Sequence, residues 1–348
     1  MARSNATGTP SKDKGKGGLA PLSLIFSDNH ILPSLFGEQD SHLRRIEQDL
    51  GVTIASRGNQ LAIEGRPESQ LTTKQILESL YNRLAKGQMV TMADVETALR
   101  MSRPSDNKPS RGQVAIRTKR KVIEPQSPTQ VSYIQALQSA ELVFGIGPAG
   151  TGKTYLAVAS AVESLLNGAV SRLILSRPAV EAGERLGFLP GDLRDKIDPY
   201  LRPLFDALYD MLPPDQITRR LESGEIEIAP LAFMRGRTLA NSVIILDEAQ
   251  NTTPSQMKMF LTRLGENSRM IITGDPSQID LPNGTQSGLH DALDAIGQSD
   301  RLQSPKSHMA NQIRIIRFEA GDIVRHRLVT EIVMAYEERD AARQGRQG

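Results

Sequence analysis

The pattern of apolar and polar positions changes along the chain and predicts two folded parts. In residues 22–101, "SHLRRIEQDLG" places Leu43, Ile46 and Leu50 on one face of a helix. The segments "QLTTKQILESLYNRLAKG" and "TMADVETALRM" predict two further helices, the second capped by Thr91. Because "VTIAS" and "QLAIEG" alternate apolar and polar residues on either side of "RGN", they predict a hairpin. The first part is therefore expected to be a small α+β domain.

From residue 129 to residue 337 the pattern is that of an α/β domain. Short apolar runs, "LVFGI", "RLILS", "IEIAPL", "VIILDE" and "MIITGD", alternate with segments of helical periodicity. Strands that are apolar on both faces are typical of a parallel sheet that helices cover on each side. We therefore predict a parallel α/β core over residues 129–337.

The remaining segments are predicted to connect or flank these two parts. Residues 102–128 carry Pro, Ser and basic residues and are expected to be an interdomain linker with room for one strand. Residues 1–20 contain little that could be buried and predict a disordered basic tail, and residues 338–348 predict a solvated tail.

Composition narrows the functional classes. The 348 residues include no cysteine, which excludes disulfides, thiolate zinc sites and cysteine nucleophiles. The net charge of +2 excludes a global positive field, so any surface that binds nucleic acid must be local. The apolar run from Leu19 to Phe26 is too short for a membrane span and contains Pro21. We therefore expect no membrane partner and a cytoplasmic location.

A glycine-rich stretch carries the strongest chemical signal. "GPAGTGKT" matches G-x-x-x-x-G-K-T and stands between the apolar run "ELVFGI" and the helical segment "KTYLAVASAVESLLNG". In this context backbone N–H groups bind phosphates at a helix N-terminus, Lys153 reaches the β- and γ-phosphates, and the Thr154 hydroxyl holds Mg²⁺. ATP and Mg²⁺ are therefore the predicted cofactors. The predicted nucleotide-binding residues of the loop are Gly147, Pro148, Ala149, Gly150, Thr151, Gly152, Lys153 and Thr154.

An acidic pair ends the apolar run "VIILDE" and supplies a second magnesium ligand. Asp247 is predicted to bind the metal, mostly through water. Glu248 is predicted to polarise the attacking water as a general base, a role worth roughly 10²–10⁴-fold in rate. The alternative is that both carboxylates cap the next helix, but the P-loop upstream favours the catalytic interpretation.

Two glutamines are predicted to contact the nucleotide. Gln278 follows the apolar run in "IITGDPSQIDLP", where a sensor of the γ-phosphate would lie, although an ordinary loop glutamine fits the same spacing. Gln130 and Tyr133 are one helical turn apart, shortly before the P-loop strand. A glutamine amide can pair with the donor and acceptor edges of adenine, so Gln130 is a candidate for selecting the base.

Together and in this order, these motifs resemble the PhoH family of P-loop ATPases. The resemblance covers roughly residues 124–337 and is most specific in "RPAVEAGERLGFLPGD" and "DEAQNTTPSQMKMFLTRLG". It implies ATP binding, a RecA-like core related to superfamily-one helicases, ribosomal RNA maturation with an endoribonuclease partner, and a link to phosphate starvation. Residues 303–321 depart from the family pattern. The roles that the resemblance implies are those given above for Gln130, Lys153, Thr154, Asp247, Glu248 and Gln278.

The N-terminal part resembles the KH-like segment of longer family members. Where a KH domain that clamps nucleic acid has a GXXG loop, this chain has "GEQD", with Gly37 kept and Asp40 in place of the second glycine. The carboxylates would repel a phosphate backbone. A packing or oligomerisation module therefore stands as the alternative to RNA binding.

A single core of this kind predicts an oligomer. A monomeric helicase needs a second RecA-like core that supplies an arginine, but only about sixty residues follow "SGL", too few for another such domain. We therefore expect a homo-oligomeric ring in which a neighbouring subunit supplies the arginine. The candidates are Arg235, Arg237, Arg263 and Arg325, and for each the alternative is a surface ion pair.

The basic and aromatic insert "SRPAVEAGERLGFLPGDLRDKIDPYLRPL" fits either single-stranded nucleic acid or a subunit interface. The leading hypothesis is an oligomeric ATPase that acts on RNA as a helicase, a remodeller or a ribonuclease partner. A P-loop kinase is less favoured, because a glutamate beside the metal aspartate suits activation of water. A nucleotide-gated scaffold with slow turnover is a third class that the sequence leaves open.

Overall fold

The computed structural model describes residues 21–102, 114–178, 193–282, 284–299 and 311–324, together with residue 339. The chain divides into two compact units, Met1–Pro104 and Ser105–Gly348. Several sequence predictions lie outside the described residues: the tails other than residue 339, residues 103–113 of the linker, residues 179–192 of the insert, and Arg325.

The first unit is a three-stranded antiparallel sheet with helices packed against it. The strand order is β1–β3–β2, and the core includes Leu35, Ile46, Ile63 and Leu77, all fully buried. In chain order the elements are β1 (Leu22–Ile25), α1 (Leu32–Phe36), α2 (Ser41–Leu50), β2 (Thr53–Arg57), β3 (Gln60–Glu64), α3 (Pro67–Ala85) and α4 (Met92–Ser102).

The helix and hairpin patterns of this unit are confirmed, with one difference at a helix cap. Leu43 and Ile46 are buried on α2, and β2 and β3 form the predicted hairpin. At the start of α4 the Asp94 carboxylate accepts hydrogen bonds from Thr91 N at 2.8 Å and Thr91 Oγ1 at 2.7 Å. The Thr91 side chain therefore donates to Asp94 instead of accepting from a backbone N–H of the helix, as a capping hydroxyl would. A carboxylate one turn into the helix is the stronger acceptor.

The "GEQD" loop has backbone angles that suit glycine, although it contains one glycine where a GXXG loop has two. Gly37 has a φ of 75°, and Gln39 and Asp40 have φ of 50° and 59°, values that residues with a side chain seldom adopt. Both carboxylates of the loop, on Glu38 and Asp40, are exposed. The loop therefore presents negative charge where a phosphate-binding loop would present backbone alone.

The second unit is built on a six-stranded parallel sheet. Its order is β11–β6–β10–β9–β7–β8, and every neighbouring pair is parallel. The strands are β6 (Leu142–Ile146), β7 (Arg172–Arg177), β8 (Ile226–Pro230), β9 (Ser242–Leu246), β10 (Arg269–Gly274) and β11 (Ile313–Arg317), preceded by a hairpin of β4 (Ile116–Arg117) and β5 (Val122–Ile123). The helices are α5 (Pro128–Ser139), α6 (Lys153–Leu166), α7 (Leu193–Met211), α8 (Pro214–Glu222), α9 (Pro254–Leu261) and α10 (Gly288–Gly297).

Successive residues of the central strands belong to separate apolar clusters on the two faces of this sheet. On β9, Ile245 packs with residues of α6 and α7, whereas its neighbour Ile244 packs with residues of α9 and α10. Both side chains are fully buried. The prediction of a parallel sheet covered on each side is therefore confirmed. No helix in the described ranges combines the length and the apolar character needed to cross a bilayer.

Two elements of the second unit differ from what the sequence predicted: β11 was not expected, and two short strands lie where room for one was expected. β11 is an edge strand that pairs with β6, and it lies in the segment that departs from the family pattern. The hairpin β4–β5 lies within the predicted linker, yet Ile116 and Ile123 are buried in the core of this unit. β11 is interrupted by Arg314 and Arg317, and the hairpin contains the basic stretch "RTKRK", so neither segment has the continuous apolar run that marks the other strands.

The carboxyl ends of the parallel strands bring the phosphate loop and several polar residues to one edge of the sheet. The phosphate loop follows β6, Asp247 follows β9, and Asp275 follows β10, while Arg177 ends β7. Because neighbouring strands run in the same direction, these positions are adjacent although they are far apart in sequence. With the loop leading into α6, this is a P-loop NTPase fold.

The P-loop strand packs unusually close to α5. Gly145 on β6 faces the ring of Tyr133, and a Cβ at this glycine would lie 2.8 Å from ring carbons. Tyr133 is fully buried and meets Phe318 edge-on with ring centroids 5.3 Å apart. Burial raises the pKa of the Tyr133 phenol, so the ring stays uncharged at neutral pH. The aromatic pair therefore leaves no room for a side chain at Gly145 on the strand that leads into the phosphate loop.

We expect Gly145→Ala to lower the free energy of unfolding by about 1–3 kcal/mol, because the added methyl overpacks this contact. Urea denaturation followed by circular dichroism measures the change. Gly297→Ala is the matched control, since a Cβ at the end of α10 meets no atom within 4 Å and the variant should lose no stability. Equal midpoints for the two variants would contradict the packing argument.

Candidate nucleotide-binding site

A cavity of about 590 Å³ opens at the carboxyl edge of the parallel sheet. Most residues of the phosphate loop and both residues of the acidic pair line it, whereas the predicted nucleotide-binding residues Gln130, Gly147, Pro148 and Thr151 do not. The lining consists of Ala149, Gly150, Gly152, Lys153, Thr154, Tyr155, Arg177, Pro203, Asp206, Ala207, Asp210, Asp247, Glu248, Gly274, Asp275 and Gln278.

The phosphate loop is shaped by its glycines and by the chain after β11. Gly147 has a φ of 141°, and a Cβ there would lie 2.3 Å from the carbonyl oxygen of Phe318. Gly150 and Gly152 both have a φ of 83°. The N–H of Gly147 donates to Gly274 O at 3.1 Å, which joins the loop to the end of β10. The loop therefore requires glycine on both conformational and steric grounds.

Lys153 is the first residue of α6, and its ammonium lies within the loop. Nζ donates to the carbonyl oxygens of Gly147 at 2.6 Å and Pro148 at 2.7 Å, and only 8% of the residue is exposed. A helix N-terminus attracts anions through its unpaired N–H groups. The buried ammonium adds a full positive charge at the same place, as a phosphate site requires.

The Gln130 side chain is hydrogen-bonded to the backbone of the phosphate loop. Its Oε1 accepts from Gln126 N at 2.7 Å, and its Nε2 donates to Thr151 O at 3.0 Å. The residue is 4% exposed, and its two amide ends are occupied by backbone groups. These contacts give Gln130 a part in fixing the loop conformation. Its selection of adenine stays a prediction from the sequence.

Asp247 and Thr154, both predicted magnesium ligands, are in direct contact. Asp247 Oδ1 accepts hydrogen bonds from Thr154 Oγ1 and from Thr273 Oγ1, each at 2.6 Å. Asp247 is 4% exposed, so these hydroxyls offset the desolvation of its charge. A carboxylate beside a hydroxyl, both oxygen donors, fits the ligand preference of Mg²⁺.

Glu248 is held in place on both sides. Its Oε1 lies 3.2 Å from Arg177 Nη2, and its Oε2 accepts from Gln250 Nε2 at 2.6 Å. Arg177 Nη1 is also 4.0 Å from Asp247 Oδ2. The backbone of Glu248 is left-handed, with φ 53° and ψ 41°. This uncommon conformation projects the carboxylate into the cavity beside Asp247.

Gln250 connects the acidic pair to the loop that carries Gln278. Its Oε1 accepts from Asp275 N at 3.0 Å, and the side chain is 1% exposed. Asp275 O in turn accepts from Gln278 N at 3.1 Å, and Gln278 lines the cavity, while its part as a phosphate sensor stays a prediction. Sequence reasoning missed Gln250 and Asp275, although "DEAQ" and "TGDPSQ" place both within three residues of predicted site residues.

The outer wall of the cavity includes a contact from the predicted linker. Lys121 Nζ donates to Asp210 Oδ2 at 2.6 Å, and Tyr155 Oη donates to the same oxygen at 3.3 Å. The hydrogen bond from Lys121 lowers the pKa of Asp210. Lys121 also lies 5.8 Å from the centre of the Tyr155 ring. The hairpin β4–β5 therefore helps to fix the residue that follows the phosphate loop.

The candidate arginines differ in how far intramolecular contacts occupy them. Arg237 makes a two-point pair with Glu227 at 2.6 and 2.7 Å, and the hydrogen bond lowers the pKa of Glu227. Arg263 donates to Met259 O, to Arg237 O and to Thr262 Oγ1. Arg235 is exposed. The structure thus gives Arg237 and Arg263 structural contacts that their sequence context did not reveal.

The family model for PhoH-like proteins matches residues 122–337. The match therefore covers the whole described lining of the cavity and begins at β5, inside the predicted linker.

Curated relatives of the same description match most of the chain. A PhoH-like protein of Bacillus subtilis (strain 168) is 49% identical over 311 residues, which cover 88% of this chain and 94% of the relative. A PhoH-like protein of Mycobacterium tuberculosis (strain ATCC 25618 / H37Rv) is 47% identical over 310 residues, covering 88% and 85%. Protein PhoH of Escherichia coli (strain K12) is 40% identical over 289 residues, covering 81% and 75%.

Among solved structures, a Sulfolobus solfataricus SWI2/SNF2 ATPase core in complex with dsDNA aligns over 55% of this chain and 43% of that chain. The sequence identity is 15% and the TM-score is 0.31, so this likeness carries no argument. The family match and the relatives do carry one: since the model matches more than half of the chain and the relatives match over most of their own length, the chain belongs to the PhoH-like protein family.

Proposed function

We propose that the protein hydrolyses ATP with Mg²⁺ at the cavity beside the phosphate loop. The observation that carries the proposal is the direct contact between Thr154 Oγ1 and Asp247 Oδ1, at 2.6 Å, beside the buried ammonium of Lys153. If the glycine-rich stretch were an ordinary turn, a contact between its last hydroxyl and the carboxylate after β9 would not be expected. The three groups together provide the two oxygen ligands and the positive charge that a magnesium–phosphate complex needs.

In the proposed reaction the chain's own groups position phosphate and water. The loop N–H groups and Lys153 bind the phosphate chain, and Gln278, which lines the cavity, contacts the terminal phosphate. Glu248 accepts a proton from the water whose oxygen attacks the terminal phosphorus, and ADP leaves. When bound at Thr154 and Asp247, Mg²⁺ supplies neutralisation of phosphate charge.

A nucleotide-gated scaffold with slow turnover is the second candidate. Both oxygens of Glu248 are already engaged, one by Arg177 and the other by Gln250. A base held in this way accepts a proton slowly until one of these contacts is released. A kinase is less favoured, because Glu248 lies beside the metal-binding carboxylate where it would activate water and so compete with phosphoryl transfer to an acceptor.

We further propose that the active form is a homo-oligomer in which Arg235 acts on the nucleotide of a neighbouring subunit. Arg235 follows the turn after β8, at the same sheet edge as the cavity, and both Arg235 and the nearby Phe233 are exposed. Single-stranded or ribosomal RNA is the proposed polymer. The endoribonuclease partner, the cytoplasmic location and the phosphate-starvation link rest on the family resemblance and the sequence alone.

Lys153→Ala is expected to abolish both nucleotide binding and hydrolysis, because it removes the charge within the phosphate loop. Glu248→Gln should still bind ATP but release phosphate roughly 10²–10⁴-fold more slowly, because it lacks the base. Phosphate release with Mg²⁺, with and without single-stranded RNA, and binding of a fluorescent ADP analogue are the measurements. Lys258→Ala, an exposed lysine on α9, is the control. Full hydrolysis by Glu248→Gln would refute the proposed base.

Arg235→Ala is expected to lower the turnover number by about 10³-fold without loss of stability, because the arginine acts across a subunit interface. Mixing Arg235→Ala with Lys153→Ala subunits should restore part of the activity, since each supplies what the other lacks. Absence of recovery in confirmed mixed oligomers would exclude Arg235.

Arg237→Ala serves as the comparison for Arg235→Ala. It should instead lower the free energy of unfolding by about 1 kcal/mol, because Glu227 loses a two-point pair near the surface. Thermal unfolding of the two variants, measured beside their hydrolysis rates, separates a structural arginine from a catalytic one.

A further inference from the structure

Arg177 faces both members of the acidic pair. Its Nη2 lies 3.2 Å from Glu248 Oε1, and its Nη1 lies 4.0 Å from Asp247 Oδ2. The side chain is 20% exposed and lines the cavity. Among the described residues of the lining, Lys153 and Arg177 are the cations. One cation is thus placed in the phosphate loop, and the other at the carboxylates.

The position of Arg177 is fixed by the sheet. It ends β7, which pairs with β9 so that Ser176 lies opposite Leu246. Asp247 N donates to Ser176 O at 2.9 Å, so the backbone just before Arg177 is bonded to the first residue of the acidic pair. A guanidinium that starts from this strand end therefore stays within reach of the cavity, whether or not it keeps its pair with Glu248.

We propose that Arg177 responds to the terminal phosphate of the nucleotide. With an empty cavity it pairs with Glu248, and when a nucleoside triphosphate binds it exchanges this pair for the terminal phosphate. The exchange frees Glu248 Oε1, which can then accept a proton from water. The step rests on the proposed function, and it uses no bond change other than ion-pair exchange.

The charge balance at the cavity favours such an exchange. A triphosphate brings more negative charge than one carboxylate, and a guanidinium forms two parallel hydrogen bonds with phosphate oxygens. A nucleoside diphosphate lacks the γ-phosphate, so Arg177 should pair with Glu248 again after inorganic phosphate leaves. Glu248 and the terminal phosphate thus compete for one guanidinium. This competition can be measured as a change in triphosphate binding without a change in diphosphate binding.

Binding constants for a non-hydrolysable ATP analogue and for ADP test this competition. Arg177→Ala should weaken binding of the triphosphate analogue by about tenfold or more, as loss of a charge-assisted contact does, and leave ADP binding nearly unchanged. Arg177→Lys should recover part of the loss. Arg172→Ala, at the opposite end of β7, is the matched control and should change neither constant.

Glu248→Gln provides the second, opposite test. Because an amide no longer competes for Arg177, this variant should bind the triphosphate analogue more tightly than the wild type does, with ADP binding unchanged. In the double variant with Arg177→Ala the gain should vanish. Neither result requires hydrolysis.

Three outcomes would overturn the proposal. Equal weakening of both nucleotides by Arg177→Ala, or a loss of folding that Arg177→Lys repairs without restoring triphosphate preference, would make the ion pair structural. Unchanged triphosphate binding in Glu248→Gln would remove the competition.

A wild type that discriminates as expected but releases no phosphate would refute the proposed hydrolysis while leaving the role of Arg177 supported.

Discussion

The site depends on one buried carboxylate. Asp247 is nearly inaccessible, and hydroxyls from α6 and β10 donate to one of its oxygens and offset the desolvation of its charge. This arrangement ties the helix that follows the phosphate loop to two central strands. Thr154, Thr273 and Asp247 come from three distant parts of the chain, and their contact sets the distance between the loop and the acidic pair.

Around this carboxylate, the polar groups form a connected chain rather than separate contacts. Arg177 holds Glu248, Glu248 accepts from Gln250, and Gln250 accepts from the backbone of Asp275. The loop that begins at Asp275 carries Gln278 to the cavity. Two buried or half-buried hydrogen bonds therefore connect the Glu248 carboxylate to the start of the loop that carries Gln278.

The sequence predicted those parts of the fold that depend on local pattern. The phosphate loop and the strand before Asp247 were found because glycine spacing and apolar runs are local signals. β11 was missed because Arg314 and Arg317 interrupt its apolar residues, so the segment does not form a continuous apolar run. The pairs Arg177–Glu248 and Arg237–Glu227 could not be assigned, since each depends on strand order or on a turn that no local pattern specifies. The contact of Gln250 with Asp275 likewise follows from the adjacency of β9 and β10.

The chain after β11 contacts the phosphate loop at more than one point. Phe318 N donates to Ile146 O at 2.7 Å, its carbonyl oxygen occupies the space beside Gly147, and Val324 N donates to Gly150 O at 3.0 Å. The glycine-rich stretch "GPAGTGKT" therefore does not keep its conformation by its own contacts alone. A graft of that stretch and its helix onto another sheet would leave the loop without its outer wall, so the smallest transplantable unit extends to residue 324.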